Sequence, residues 1–209
     1  MRALSGGQFP LALGVLQILA LDIGTDTLSA VALGAEPPAD GVLERPPVSG
    51  RLLDRTVARR AFGVLGPTVA ILAMAAFLVS FLVSGWKPGE SFPGGHIAAA
   101  ASGAAFMTVV LAQTANAFAC RSFTRRPGEL GWTTNRLLIP AAGIELVFSL
   151  LVLFIVPIAD ELGHANPPLA GWLVALGSVG AVFTVDALDK RRTFESAETA
   201  GISARSHHE

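Results

Sequence analysis

A single cysteine, Cys120, and no tyrosine at all stand among the 209 residues. One thiol excludes an internal disulfide and argues against a thiolate metal centre, which takes several. Without tyrosine, any belt of interfacial aromatics falls to phenylalanine and to Trp86, Trp132 and Trp172. Charge is scarce too: Asp, Glu, Lys and Arg make up 15%, against about a quarter in ordinary globular chains. Alternating strand patterns and internal repeats are also missing, which leaves helices to satisfy the backbone. The net charge of −1 says little about partners, and no nucleic-acid partner is expected.

What is abundant is apolar: 52% of the chain, gathered into runs of about 20 residues. The expectation is an all-α, polytopic helical membrane protein in contact with lipid. Its five spans are placed at about 11–35, 61–84, 97–119, 137–158 and 171–188 within one domain, 1–192, followed by a disordered cytosolic tail, 193–209. The polar stretch from Glu36 to Arg60, the turn-rich run GWKPGESFPGGH, the basic loop after Cys120 and the acidic connector Ala159 to Ala170 separate the spans. Five crossings put 13 of the 15 basic residues on one side, with Arg2 and Lys87 on the other. The positive-inside rule makes the crowded side the cytosol and the C-terminus cytosolic. The N-terminus then lies outside, which suggests that a helix precedes this chain.

Within the first span, LQILALDIGTDTLSAVALGAEPP carries two carboxylates. Asp22 and Asp26 are four apart, so a helix sets them one turn apart on one face with Thr25 beside them. An aspartate at the centre of a membrane helix costs roughly 2.5 to 3.5 kcal/mol on insertion scales. A bound cation, a proton or a water-filled cavity would offset that cost. Gly24 weakens the helix between the two acids, so carbonyl oxygens there can turn away from helical partners and join the all-oxygen shell that hard cations take. Two blander readings compete. A soluble amphipathic helix would leave the acids in water. A secretory signal would start at Arg2 and end at Ala30-Val31-Ala32, but the acids interrupt its apolar run and the pattern resumes past them.

Other polar residues inside spans are fewer. Gln113 and Asn116, three apart, share a face of the third span, where interhelical hydrogen bonding competes with ligation. Small residues fill the first half of that span and favour close helix approach. Glu145 lies in the fourth span, either deep or near enough to the basic loop to snorkel toward it. Pro67 is expected to kink the second span near its start. His96 reads as a solvated loop residue.

These residues together resemble the C-terminal membrane domain of P-type cation-transporting ATPases, from the sixth to the tenth transmembrane helix. LQILALDIGTDTLSAVALGAEPP with ERPP at Glu44 to Pro47 is similar to the sixth helix and its following loop. VVLAQTANAFACRS is similar to the eighth, and VDALDK to the end of the tenth. The resemblance implies that Asp22, Thr25 and Asp26 occupy cation-binding positions, with Gln113 and Asn116 contributing as in some members. Glu145 matches an acidic position of the sodium/potassium type. It also implies a transported monovalent or divalent cation and no other cofactor. Two positions depart from the pattern. Ser29 replaces the proline usual after the second aspartate, and the acidic pair near the chain's last span is reduced to Asp186 followed by Ala187.

The phosphorylation motif DKTGT, the nucleotide-binding and actuator domains and the first five helices of such pumps have no counterpart in these residues. The expectation is therefore the ligand-bearing membrane half of a pump, not a pump by itself and without catalytic residues of its own. A bacterial plasma membrane is the expected location, and the missing N-terminal part of the ATPase is the expected partner. The alternatives are a non-enzymatic scaffold or regulatory partner of a full pump, and a passive cation path.

Overall fold

The computed structural model describes residues 9–38, 55–122, 125 and 128–206, with side chains to residue 192. The run Glu44 to Pro47 lies outside them. Every regular element among the described residues is a helix. Four helices are long and apolar enough to cross a membrane: α1 (Val15–Gly34), α2 (Arg55–Val83), α3 (Gly95–Ala119) and the stretch Leu169–Arg192 of α6 (Leu169–Ser206). A bent pair, α4 (Leu138–Phe154) and α5 (Val156–Leu162), supplies a fifth crossing when taken together.

The helix ends follow local chemistry. At the start of α1 the Gln17 side chain accepts the Gly14 N–H at 2.6 Å, half of a capping box. Asn135 Oδ1 accepts the amides of Leu137 (3.0 Å) and Leu138 (3.2 Å) and so caps the start of α4. Gly163, at φ 72°, closes α5 in the left-handed conformation that only glycine takes without strain.

Three elements differ from the sequence expectation. The span expected to run unbroken over 137–158 ends at Phe154 and turns by 86° into α5. Pro157 has no N–H for the next helical bond and its ring crowds the carbonyl one turn back, so the helix cannot continue through it. Near Pro67, α2 widens into a π-helical segment, Arg59–Leu65, whose longer bonds (Gly66 N–H to Ala61 O) lead into the proline at the start of the regular helix. Where a disordered tail is expected, the helical backbone of α6 continues to Ser206.

α3 is the hub. Residues 101–108 are all buried: the small side chains of 101–105 let neighbours approach closely, and Phe106 and Met107 fill the core beyond them. At Gly103 a Cβ would sit 2.1 Å from the Ala165 carbonyl oxygen. At Gly171 a Cβ would meet Ala104 and Ser80, each at 2.8 Å. At one end, Phe9, Phe77, Phe81, Trp86 and Phe92 form an aromatic cluster, with Trp86 stacked on Phe92 at 4.4 Å. Each such pair contributes about 0.5–1.5 kcal/mol beyond burial.

The opposite end is fastened by charge. Arg60 of α2 pairs with the buried Asp186 of α6, which also meets Lys190 at 2.8 Å. Arg59 reaches Asp189 at 3.1 Å. Lys190 donates to the carbonyls of Ala119 (2.9 Å) and Arg125 (3.0 Å), so α2, α3 and α6 share one ionic cluster. On the same end, Arg121 grips Glu36 through Nη2 (2.7 Å) and Nε (3.0 Å), while Asn135 donates to Glu36 Oε2 at 2.7 Å. The Arg121 guanidinium holds the Glu36 carboxyl below the usual glutamate value, against the opposing effect of burial.

A candidate cation site on the first helix

α1 is not a uniform α-helix. Asp22–Asp26, the DIGTD run, forms a π-helical turn between two α-helical stretches. Such widened turns break the regular bonding ladder and recur at functional sites. Gly24 sits at its middle because α4 presses there: a Cβ on Gly24 would fall 2.0 Å from the Phe148 ring. Thus the glycine's missing side chain provides room for Phe148 as well as a weak helical link.

Within the turn, Asp22 and Asp26 are exposed at the helix surface, whereas Thr25 is 3% exposed. The Thr25 hydroxyl lies 2.5 Å from the Leu21 carbonyl, one turn back, and 3.5 Å from Asp26 Oδ1. The Asp22 carbonyl oxygen accepts the Thr27 hydroxyl at 3.3 Å. From α3, Gln113 Nε2 donates to Asp26 Oδ2 at 3.3 Å. Its amide oxygen is buried without a hydrogen-bond partner among the described residues.

The other two sequence candidates are engaged differently. Asn116, one turn beyond Gln113, accepts from the Cys120 thiol at 3.5 Å. Glu145 of α4 is 2% exposed and accepts the backbone N–H of Ser29 at 2.8 Å. Its carboxylate thus anchors to α1 one turn past the two aspartates. Among the described residues, no three His, Cys, Asp or Glu side chains gather as a metal cluster. A cation at Asp22 and Asp26 would draw further oxygens from Thr25, Gln113 or the loosened backbone, all neutral donors suited to a hard cation.

A groove of ≈630 Å³ opens beside this site. α2 and α3 form its walls, with Ala61, Gly66 and Ala73 among the small residues on one side and Gln113 and Asn116 on the other. It is mainly apolar, with Arg60 at the charged end.

Sequence reasoning did not single out Gln17, Ser102 and His164, which meet in a fully enclosed polar knot where α1, α3 and the segment after α5 converge. Gln17 is the lone amide in the apolar start of the first span, and that isolation was the available signal.

The family described as "Cation transporting ATPase, C-terminus" matches residues 10–192. A calcium-transporting ATPase of Bacillus subtilis (strain 168) is 29% identical over 178 residues, which cover 80% of this chain and 18% of that protein. A plasma membrane-type calcium-transporting ATPase 5 of Oryza sativa subsp. japonica is 30% identical over 188 residues, 87% of this chain and 16% of that protein. A sodium/potassium-transporting ATPase subunit alpha-4 of Rattus norvegicus is 30% identical over 82 residues, 38% of this chain and 8% of that protein. The chain therefore spans less than a fifth of the length of these curated relatives.

Proposed function

Because the chain belongs to the family of cation-transporting ATPase C-termini, we propose that it is the membrane part that supplies side-chain ligands to a transported cation, working with an N-terminal part that carries phosphorylation and nucleotide binding. Asp22, Asp26 and Thr25 are the primary ligands, and Gln113 joins them from α3. Asn116 and Glu145 take supporting places, the first beside the groove and the second as the anchor of α1. The observation that carries this reading is the π turn itself: two aspartates on a loosened helix, with Asp26 tied to an amide of a second helix.

The chemistry follows from that arrangement. Two carboxylates close in sequence repel one another, and a cation between them relieves both the repulsion and the cost of holding charge in a membrane. A π-helical turn can shift its bonding register more readily than a regular helix, so its ligands can be presented and withdrawn. In the proposed pump, aspartyl-phosphate formation in the N-terminal part would drive that change. In this reading a helix of the same partner packs along the mainly apolar groove between α2 and α3, with its polar residues facing Gln113 and Asn116. The ionic end of the bundle faces the cytosol, as its excess of basic residues indicates.

Expression of the chain in membranes, solubilisation in mild detergent and mass spectrometry of co-purified proteins test the partnership. Recovery of a large protein with phosphorylation and nucleotide-binding domains is the expected result; the chain recovered alone and stable overturns it. In the assembled complex, Asp26→Asn is expected to weaken cation binding by tenfold or more, about 1.4 kcal/mol. Unchanged affinity removes Asp26 from the site.

A further inference from the structure

The knot formed by Gln17, Ser102 and His164 has no place in the cation site, yet it holds the helix that carries that site. Gln17 is 0% exposed, His164 1% and Ser102 6%. Gln17 Nε2 lies 2.9 Å from Ser102 Oγ and 2.9 Å from His164 Nδ1. Gln17 Oε1 accepts the Gly14 N–H, Ser102 Oγ lies 2.9 Å from the Ala12 carbonyl, and His164 Nε2 lies 3.2 Å from the Val152 carbonyl. Phe106 stacks on the imidazole with ring centres 5.2 Å apart.

Donor and acceptor counting fixes the protons. The Gly14 N–H requires the Gln17 oxygen to face it, so the Gln17 NH₂ faces Ser102 and His164. His164 Nδ1 must then accept, which leaves the proton on Nε2, where it is donated to the Val152 carbonyl. The Ser102 hydroxyl can donate to the Ala12 carbonyl or to Gln17 Oε1 at 3.1 Å, and with either choice the Gln17 NH₂ is satisfied at His164 only by a neutral ring. A second proton on His164 would set N–H against N–H₂ at 2.9 Å. Flipping the Gln17 amide would answer His164 but would then point NH₂ at the Gly14 N–H. One contact to α1 is lost either way.

We infer that His164, Gln17 and Ser102 form a proton-sensitive latch that fixes the start of α1 while the imidazole is neutral and releases it when the ring takes a second proton. The groups facing the ring are Gln17 from α1, Phe106 from α3 and the Val152 carbonyl from α4, with Ser102 of α3 reaching it only through Gln17. None is titratable, and the acids of α5, Asp160 and Glu161, are exposed. No carboxylate in the knot therefore neutralises a charge on the imidazole. Burial pushes the His164 ring below the ordinary value of 6.5, opposed by the Val152 carbonyl. The folded state then binds fewer protons than the unfolded one just below pH 6.5. The latch's contribution is complete above that value and is lost as pH falls toward the folded pKa.

The latch lies at the end of the bundle opposite the ionic cluster, and Gln17 is five residues, or about 7.5 Å of helix rise, before Asp22. Release of the start of α1 would loosen the π turn and lower cation affinity. That last consequence rests on the proposed ligand role of Asp22 and Asp26, whereas the latch itself does not.

The test uses the full chain in lipid nanodiscs, with ¹⁵N-labelled histidine and amide hydrogen exchange over residues 14–21. At pH 7.5 the His164 signals should show a bare Nδ1 and a protonated Nε2. Between pH 7.5 and 5.5, protection factors in that segment should fall by about tenfold. His164→Asn keeps an acceptor near the Nδ1 position and cannot be protonated, so its protection should not change over the same range. A protonated Nδ1 at pH 7.5, or an equal fall in wild type and His164→Asn, overturns the latch. Asp26→Asn should keep the pH response intact. A titrating latch together with undiminished cation binding in Asp26→Asn would therefore reject the ligand assignment and leave the latch standing.

Discussion

Glu145 and Ser29 are 116 positions apart in the chain and are joined by a 2.8 Å hydrogen bond from the Ser29 backbone amide to the Glu145 carboxylate. A proline at position 29, usual in the family pattern, would have no N–H to give. The departure at Ser29 and the acid at Glu145 thus form one structural unit across α1 and α4.

Replacing Glu145 separates its hydrogen bond from its charge. Glu145→Gln retains an acceptor oxygen for the Ser29 amide and should change stability little. Glu145→Ala leaves that amide without its acceptor and should destabilise the bundle by about 1–3 kcal/mol. Unfolding by SDS titration distinguishes the two, and equal losses would show that the carboxylate's charge, not the bond, matters.

Gly24→Ala should destabilise the chain, although alanine is favoured over glycine in helices by about 1 kcal/mol. The added methyl meets the Phe148 ring at 2.0 Å. Pairing it with Phe148→Ala should remove the clash and recover part of the loss. A stabilised single variant in the same SDS titration would mean that Phe148 does not press on this turn.

The spans and the acidic face of α1 are legible in sequence because hydropathy and the cost of charge are local properties of a segment. The bend at Ile155 is less legible, because Pro157 lies within an apolar run long enough to pass for one uninterrupted span. Gln113 and Asn116 share a face on paper, yet one reaches Asp26 and the other Cys120, because their neighbours differ. The knot of Gln17, Ser102 and His164 joins residues 85 and 147 positions apart. Nothing local announces such a meeting, since it exists only once three segments converge.

Acid should loosen the grip of Arg121 on Glu36. With its carboxyl held below the ordinary 4.5, Glu36 contributes stability in full above that value and loses it as pH falls through the folded pKa. Because the carboxyl is partly exposed, the effect is modest. Glu36→Gln should flatten the dependence of unfolding on pH below 4.5. An unchanged acid limb would assign that sensitivity to other groups.

The ionic cluster predicts strong coupling between α2 and α6. Arg60→Met leaves Asp186 buried with one cation fewer and should cost about 3–5 kcal/mol, while Arg60→Met with Asp186→Leu should cost less than the sum of the two single changes. A double-mutant cycle by SDS titration measures the difference. Additive losses would show that the pair makes no coupled contribution.

The two π segments, Asp22–Asp26 and Arg59–Leu65, also set direction. One extra residue in a helical turn carries everything beyond it around the axis by about 100° relative to an uninterrupted helix. On α1 this decides which side chains after Asp26 face inward, including Ala32 in its packing against Leu138. On α2 it orients Ala73 toward the groove. Each widened turn therefore behaves as a phase offset in its helix, and a one-residue deletion there would rotate the contact surface beyond it far more than it would shorten the span.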